Sequence, residues 1–354
     1  MSKPKLRIAI LYDHWIESEP APATPPEEAP RRRGKKNVKK KKPKKEMEDR
    51  EEIFEALQKL GHDPFYLVLD GRHQTLAALT KSDADLFFNL TESYAGDDTM
   101  DMCIAGYLEL IGKPYTGASP QGLYLAQDKT LAKKIFAFHG IRTPFFATSY
   151  KGKIDHSHDI SFPLIVKPSS EDGSIGIDSG SVVESVKDLM ERIHYIQEEF
   201  DSPALIEEYI EGREIYAAII GNDNAEVLPL VELDLSRLPK GTPKIAGKDV
   251  KWEKETEAYR VTKSAVAEDL DEKTAKVLSD TALSAYRALK LRDYGRIDMR
   301  LSNKKDEVYV IEANPNPWLY SGAEFSMAAK KAGRNYTQLI GEIVELALAR
   351  NNGD

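Results

Sequence analysis

Short aliphatic runs separated by amphipathic stretches dominate the first third of the chain. Three of these runs, at 6–12, 65–69 and 85–90, have the composition of buried parallel strands. The segments between and after them repeat apolar residues at helical spacing, at 47–60, 76–79 and 100–111. This alternation predicts a doubly wound α/β unit, which we place at residues 1–118.

Beyond residue 119 the pattern changes to longer helices and to strands that pair locally. Strands are predicted at 145–148, 162–167, 204–210 and 214–220, and at two segments flanking 302–307. Helices are predicted at 129–139, 185–200, 274–289 and 336–350. The mixture predicts an α+β arrangement, which we divide into a central part at 119–212 and a C-terminal part at 213–354.

One segment, at about 18–45, has a composition that cannot form a core. A Pro/Ala/Glu stretch is followed by a basic run from Arg31 to Lys45, although the net charge of the whole chain is -8. The run is either a solvated insertion or an arm that touches nucleic acid or another acidic surface. Because no aromatic residue is interleaved to stack on bases, the first interpretation is favoured. No apolar run approaches the ~20 residues of a membrane span, so we expect a cytoplasmic protein without membrane contact.

The segments 295–301 and 308–314 are expected to form an antiparallel hairpin. With the turn centred on Lys305, Asp298 faces Glu312 and Arg296 faces Asn314. Strand alternation then places these four side chains on one face of the hairpin. The other face is expected to be apolar and to contact the core through Ile297, Met299, Leu301, Ile311 and Ala313.

Two carboxylates that face each other on a sheet repel, so such a pair usually holds a cation or a proton. Hard oxygen ligands from Asp298, Glu312 and Asn314 suit magnesium or manganese, carried with nucleotide phosphates. Zinc is disfavoured because no His or Cys lies nearby in the sequence. The alternative is a solvated face on which the acids pair with Arg296 and Arg300.

The loop at 169–177 follows a predicted strand that ends in Lys167. Its glycines at 173 and 176 let backbone amides approach phosphate oxygens, and the lysine supplies a positive charge. This signal is weak alone, since many turns have a similar composition. The phosphate-loop pattern G-x-x-x-x-G-K-[ST] and the dinucleotide pattern G-x-G-x-x-G are both absent.

A third motif, Leu-Ile-Glu-Glu-Tyr-Ile-Glu-Gly-Arg-Glu at 205–214, ends an apolar strand in acidic residues. Together with the lysine strand and the acidic hairpin, in this order, it resembles the ATP-grasp superfamily. Within that superfamily the chain is most similar to the D-alanine:D-alanine ligase family. The resemblance covers most of the chain outside the basic segment.

The resemblance implies an ATP-dependent carboxylate-amine ligase that forms an acyl phosphate and releases ADP and phosphate. It implies phosphate contacts from Lys129, Lys167 and Lys251, beneath a lid at 169–177 that contains Gly173 and Ser174. Adenine would be held by Glu207 and the backbone of Glu208, Tyr209 and Ile210, and ribose by Glu214. It further implies two magnesium ions on Asp298, Glu312 and Asn314, with Arg296 on the acyl phosphate, and a homodimer.

Departures from the family pattern fall where substrates other than ATP would bind. Trp318 and Ala323 replace an expected glycine and serine, Gly173 replaces a serine, and Trp252 replaces a tyrosine. The early Gly-Gly-Thr-Ser turn and its glutamate are also missing. Two D-alanines are therefore not assured as substrates, and another amino acid, a peptide or a small acid is open.

A second function is compatible with the same motifs. A regulatory or scaffold protein could bind ATP without turnover and dock through its basic segment. The complete set of Arg296, Asp298, Glu312 and Asn314 favours turnover.

Overall fold

The computed structural model describes residues 4–13, 49–150, 153–156, 161–169, 173–304 and 307–351. The first part holds a parallel three-stranded sheet of order β2-β1-β3. Its strands are β1 (Arg7–Asp13), β2 (Asp63–Leu69) and β3 (Leu86–Asn89). Its helices are α1 (Asp49–Lys59), α2 (His73–Lys81) and α3 (Asp101–Leu110), and a 3₁₀ turn covers Asp98–Met100.

The middle of the chain contains two helices followed by an antiparallel five-stranded sheet. The helices are α4 (Pro120–Gln127) and α5 (Lys129–Phe138). The strands are β4 (Phe146–Tyr150), β5 (Lys153–His156), β6 (Leu164–Pro168), β7 (Val182–Val183) and β8 (Ala204–Glu208), in the order β5-β4-β8-β6-β7. A 3₁₀ turn covers Ser179–Ser181, and α6 (Val186–Phe200) packs on this sheet around Ile193 and Ile196.

The remainder forms a six-stranded antiparallel sheet and five helices. The strands are β9 (Gly212–Ile220), β10 (Glu226–Val227), β11 (Val231–Asp234), β12 (Lys263–Val266), β13 (Tyr294–Ser302) and β14 (Val308–Asn314). The helices are α7 (Lys248–Lys251), α8 (Glu257–Val261), α9 (Glu272–Ala288), α10 (Glu324–Lys331) and α11 (Tyr336–Asn351). The strand order is β12-β11-β9-β13-β14, with β10 on β9.

Both faces of the six-stranded sheet are covered. One face packs on α9, and this core also takes side chains from the first sheet and from α3, α4 and α5. The other face packs on α10 and α11, with α1 beyond them. Within the described residues no helix is long and apolar enough to cross a membrane. The α/β plus α+β fold class is therefore as expected, whereas the three-part division of the chain stays a prediction.

The predicted hairpin forms, with one correction to its register. Asp298 pairs with Glu312 and Arg296 with Asn314, as predicted. A β-bulge then follows, so that Met299 pairs with Val310, and Ile311 is the extra residue. The prediction that Ile311 faces the core with Met299 is wrong, because the bulge turns it toward a cleft on the other side.

One helix was missed by the sequence analysis, and the other predicted elements are present. The helix α4 was not predicted, since its sequence has little apolar periodicity; Ser119 caps it and Pro120 occupies its first turn. The predicted helices and strands are present within a few residues of their expected bounds. The segment at about 18–45 lies outside the described residues.

The N-terminus of α5 carries a side-chain cap. Asp128 accepts a hydrogen bond from the Leu131 backbone amide at 2.9 Å, which satisfies one of the free donors of the first turn. We expect Asp128→Ala to lower the free energy of unfolding by ~1 kcal/mol in urea denaturation. The exposed Asp223→Ala is the control, and equal losses for the two variants would contradict the role of the cap.

Candidate active site

A cleft lies between the five-stranded and the six-stranded sheets. It contains about 570 Å³ of space, part of it open to solvent. One part of its wall is aliphatic, formed by Pro144, Ile165, Ile177, Ile245, Ala246 and Ile311. The other part is charged, formed by Lys167, Glu207, Glu208, Glu214, Lys251, Arg300 and Glu312. The cleft therefore offers a ligand both apolar contacts and charged groups of either sign.

A buried carboxylate joins two lysines at the floor of the cleft. Glu207 of β8 contacts the Lys133 ammonium at 2.7 Å and the Lys167 ammonium at 3.1 Å, and all three side chains are almost fully buried. Burial alone would raise the pKa of Glu207, but the two lysines outweigh it and hold that pKa below its usual value. Burial lowers the pKa of Lys133 to about 8, against the opposing effect of Glu207. The group has one more cation than anion.

A second carboxylate, Glu312 of β14, faces the same lysines from the six-stranded sheet. The ammonium of Lys129, at the start of α5, lies 3.8 Å from it. Burial acts to raise the pKa of Glu312, but Lys129, Lys251 and Lys167 outweigh it and lower that pKa to about 2. Four lysines thus surround two carboxylates, and the excess positive charge favours a polyanion.

Asp298 lies directly opposite Glu312 and is buried. Arg296 donates two hydrogen bonds to its carboxylate, at 2.7 and 2.9 Å. Burial raises the pKa of Asp298 to about 6 although Arg296 acts in the opposite direction, and Glu312 raises it further. Burial thus favours the protonated form of Asp298, whereas the lysines favour the ionised form of Glu312.

The donor set suits a hard divalent ion. The Nδ2 atom of Asn314 is buried without a hydrogen-bond partner among the described residues, and rotating the amide presents its oxygen at that point. The described residues contain no group of three or more His, Cys, Asp and Glu that could hold a metal alone. Asp298, Glu312 and Asn314 thus match the way magnesium binds, through one or two carboxylates, with phosphates and water completing its coordination.

Glu214 and Arg300 form a paired wall next to the aliphatic part of the cleft. The Arg300 Nε atom lies 2.7 Å from Glu214, and the guanidinium also donates to the Gly212 and Lys244 carbonyls. These contacts fix the Glu214 carboxylate in the wall of the cleft, where it can accept a hydrogen bond from a ligand.

The loop that follows β6 is hydrogen-bonded to the segment around α7. The Trp252 indole donates to the Gly173 carbonyl at 2.6 Å, and the Ser174 hydroxyl donates to the Ala246 carbonyl at 2.8 Å. The Lys248 amide donates to the Ile177 carbonyl at 2.9 Å. Gly173 has a φ of 62°, in the left-handed region that glycine adopts without strain. Ser174, which follows it, has a φ of 65°. Residues 170–172 of the predicted lid lie outside the described residues.

Nine of the fourteen predicted site residues line the cleft: Lys167, Ser174, Glu207, Glu208, Tyr209, Ile210, Glu214, Lys251 and Glu312. Asp298, Arg296 and Asn314 lie next to Glu312 on the paired strands, and Lys129 faces it from α5. The remaining predicted residue is Gly173, whose carbonyl accepts a hydrogen bond from Trp252, the residue after Lys251. Sequence reasoning missed Lys133 and Arg300 as parts of the site; Lys133 lies one helical turn after Lys129, a spacing that could have indicated it.

An aromatic group begins at Trp252, the residue that follows Lys251 of the cleft wall. The ring centroid of Trp318 is 5.7 Å from that of Trp252 and 5.0 Å from that of Tyr320. The Trp318 indole donates to Asp49 at 3.1 Å, and the Ser321 backbone amide and hydroxyl donate to Glu52. Residues 318–321, which follow the predicted metal ligands, are therefore held against α1.

Residues 135–345 match the family model described as D-ala D-ala ligase C-terminus. A protein of Sinorhizobium fredii, named uncharacterized protein y4sG, is 33% identical over 311 residues that cover 85% of this chain and 88% of the relative. The D-alanine--D-alanine ligase of Bordetella petrii is 32% identical and that of Aquifex aeolicus 30% identical. These matches cover 84% and 82% of this chain, and 86% and 92% of the relatives.

Two crystal structures of D-alanine--D-alanine ligase from Bacillus anthracis have a similar fold. The one complexed with ATP aligns with a TM-score of 0.69 at 22% identity and covers 98% of this chain and 99% of that chain. The other aligns with a TM-score of 0.67 at 24% identity and covers 86% and 92%. At these identities the likeness concerns the fold.

Proposed function

The chain belongs to the D-alanine–D-alanine ligase family of the ATP-grasp superfamily, and on that premise we propose that it joins an amino acid or small acid to an amine at the expense of ATP. One observation carries the proposal: lysines from one strand and two helices, Lys167, Lys129 and Lys251, converge on Glu312, which is paired with Asp298 across the hairpin. Such a site would neutralise phosphates, and Arg296 would face the second substrate.

The residues support a division of the cleft between nucleotide and acid. The aliphatic wall would hold adenine, with Glu207 and the backbone of Glu208, Tyr209 and Ile210 along its edge. Glu214 would accept a ribose hydroxyl. Lys129, Lys167 and Lys251 would contact the phosphates, beneath a lid that includes Gly173 and Ser174.

The chemistry follows from charge. A carboxylate that attacks the γ-phosphate must approach a polyanion, so the lysines lower the repulsion and hold the reactants in line. The bond from the γ-phosphorus to the bridging oxygen breaks, ADP leaves, and an acyl phosphate forms. An amine then attacks the carbonyl carbon. Arg296 would stabilise the oxyanion before phosphate departs.

Asp298, Glu312 and Asn314 would hold magnesium or manganese, which the resemblance puts at two ions. When bound, the metal supplies charge neutralisation at the phosphate oxygens. The protein's own part is to keep Glu312 ionised through its lysine neighbours and to orient Asp298 through Arg296.

The test is amine-dependent release of ADP from the purified full chain with ATP and magnesium. D- and L-amino acids and short peptides would be screened in pairs, with and without the run from Arg31 to Lys45. We expect at least one pair to raise ADP release, with an equal amount of phosphate and a new amide. If ATP binds but no pair exceeds the ATP-only background, the ligase proposal fails and the ATP-binding scaffold is favoured.

The aromatic group suggests that the amine site differs from that of the named ligases. Where the family has a small glycine, Trp318 contacts Trp252 and Tyr320 and is tied to Asp49. A bulky indole reduces the space for a substrate and offers a ring surface for stacking. We therefore do not assign two D-alanines as the substrates. A homodimer likewise stays a prediction.

A prediction on substrate range follows. Trp318→Ala removes ring contacts worth ~0.5–1.5 kcal/mol each, so we expect KM for the best amine to rise about tenfold while bulkier amines become accepted. KM for ATP should stay constant. The matched control is Phe138→Ala, an exposed aromatic on α5 away from the cleft. An unchanged amine preference in Trp318→Ala would show that this ring does not contact the amine.

A further inference from the structure

The linker between α5 and β4 is bonded to both of the sheets that enclose the cleft. The backbone amide of Val310, on β14, donates to the Arg142 carbonyl at 2.9 Å. The amide of Glu208, at the end of β8, donates to the Phe145 carbonyl at 3.1 Å. Pro144, between these two attachments, lies in the wall of the cleft. The side chains of this linker are therefore fixed relative to both walls.

The Thr143 hydroxyl, in the same linker, has a defined direction. It donates to the Val310 carbonyl at 2.9 Å. Because a hydroxyl has only one proton, its oxygen must accept at its second contact, with the Lys133 ammonium at 2.8 Å. The chain of donors therefore runs from Lys133 through Thr143 to β14, the edge strand of the six-stranded sheet.

The same Lys133 ammonium also lies beside Glu207. It is 2.7 Å from the Oε1 atom, a distance that would allow a hydrogen bond. Yet Oε1 is buried and accepts no hydrogen bond from any described residue, so the contact is an ion pair without the angular geometry of a hydrogen bond. A buried acceptor in this state is costly unless a ligand or water donates to it. Glu207 lines the cleft and can therefore accept from a ligand.

The surroundings of Glu207 restrict the ligand group that suits this carboxylate. Lys133 and Lys167 already neutralise it, so the donor needs no positive charge. A neutral N–H group suffices, such as the amino group of adenine in the proposed function. The carbonyl oxygen that guanine carries at the same ring position would face the carboxylate with no proton between them, which is unfavourable.

The hydrogen bond to Thr143 decides whether this acceptor stays available. A lysine ammonium has three N–H groups on a flexible stem. In a protein without the Thr143 hydroxyl, the N–H group released from it would turn to the nearby Oε1 atom of Glu207 and occupy the acceptor. Thr143 thus holds the ammonium in an orientation that neutralises Glu207 without filling its hydrogen-bonding capacity.

We propose that Thr143 is a positioning residue for base recognition: by holding the Lys133 ammonium, it keeps the Glu207 carboxylate free to accept from the amino group of adenine. The inference rests on the proposed function, from which it takes the place of the base. It adds two residues that set the base specificity, and neither was among the predicted site residues.

The first experiment measures how much the amino group contributes to binding. ADP and purine riboside diphosphate differ only in this group, which the second compound lacks. Their dissociation constants for the purified full chain are measured by calorimetry in the presence of magnesium. Wild type should bind ADP at least ~10-fold more tightly, the effect of one hydrogen bond to a charged acceptor. Equal affinities would overturn the inference.

Variants of Thr143 assign this preference to its hydroxyl. Thr143→Val keeps the shape of the side chain, and Thr143→Ala is a second variant without the hydroxyl. Both should lower the preference for ADP at least ~3-fold, while the dissociation constant of purine riboside diphosphate stays nearly constant. Thr143→Ser retains the hydroxyl and should keep the wild-type preference. An unchanged preference in Thr143→Val and Thr143→Ala, or equal losses for the two nucleotides, contradicts the proposal.

The matched control is Thr80→Val. It removes a hydroxyl that is hydrogen-bonded to Tyr107 at 2.8 Å, on α2 in the first part of the chain. Its preference for ADP should equal that of wild type. A loss of preference as large as that of Thr143→Val would show that the effect is not specific to the linker, and the inference would fall.

A double-variant comparison tests the route through Lys133. In a Lys133→Met background the group that Thr143 restrains is absent, so Thr143→Val should no longer change the preference for ADP. The same change in both backgrounds would mean that Thr143 acts without Lys133, against the proposal.

The binding measurements also separate this inference from the ligase proposal, because ADP binds without turnover. The expected preferences would support the inference even if no pair of substrates raises ADP release, in which case the ligase proposal alone fails. Failure of both nucleotides to bind would overturn the inference together with the proposed nucleotide site.

Discussion

Replacing Glu312 by glutamine is expected to abolish turnover and leave the fold intact. The substitution keeps the shape of the side chain but removes the charge that faces Lys129 and, across the hairpin, Asp298. In the proposed role of Glu312 as a metal ligand, its loss removes several kcal/mol of transition-state stabilisation, and ~4 kcal/mol corresponds to about a 10³-fold lower kcat. The measurement is the steady-state rate of ADP release with saturating ATP.

The control for this variant is Glu255→Gln. Glu255 is exposed and pairs with Arg260 on the surface, where an ion pair contributes little. Melting temperatures of wild type and both variants should agree within a few degrees, and only Glu312→Gln should lose activity. A parallel loss of activity and stability in Glu312→Gln would mean that the carboxylate supports the fold and not the reaction.

Replacing Glu207 by glutamine is expected to lower the free energy of unfolding by ~3–5 kcal/mol, because breaking a buried ion pair leaves its partners uncompensated. Both Lys133 and Lys167 depend on this one carboxylate. Urea denaturation at pH 7 measures the loss. ATP binding should weaken as well, since the two lysines would lose their fixed geometry.

Glu208→Gln is the matched control, because Glu208 is the next residue along β8 and only half-buried. Its loss of stability should be a small fraction of that of Glu207→Gln. Since the pKa of Glu207 is lowered on folding, its contribution is present above the usual value of 4.5 and is lost as pH falls below it. The difference between wild type and Glu207→Gln should therefore shrink below pH 4.5, and a difference independent of pH would contradict the ion-pair explanation.

Much of the acidic hairpin could be predicted from the sequence, because strand alternation and one turn position fix which residues share a face. The pairs of Asp298 with Glu312 and Arg296 with Asn314 are confirmed. The bulge at Ile311 could not be predicted, because the identity of an aliphatic residue does not indicate which face of a strand it occupies. Bulges that re-aim side chains are frequent next to active sites.

The rest of the site depends on contacts between distant segments. Arg300 has the sequence context of an ordinary surface charge, and only the fold brings it to Glu214. The spacing of Lys133 from Lys129 places both on one helix face, but it does not show that the partner of Lys133 is Glu207. The aliphatic wall of the cleft is equally indistinguishable from core residues in sequence. Position in three dimensions, and not residue type, assigns these roles.

The hydrogen bond from the Trp252 indole to the Gly173 carbonyl connects the loop after β6 with the aromatic group around Trp318. The same indole contacts the ring of Trp318, on the side where the second substrate would enter. A molecule that displaces the Trp252 ring breaks this bond and detaches the loop from one of its three anchors. In the proposed assignment of the cleft, binding of the second substrate would therefore weaken the attachment of the loop that covers the nucleotide.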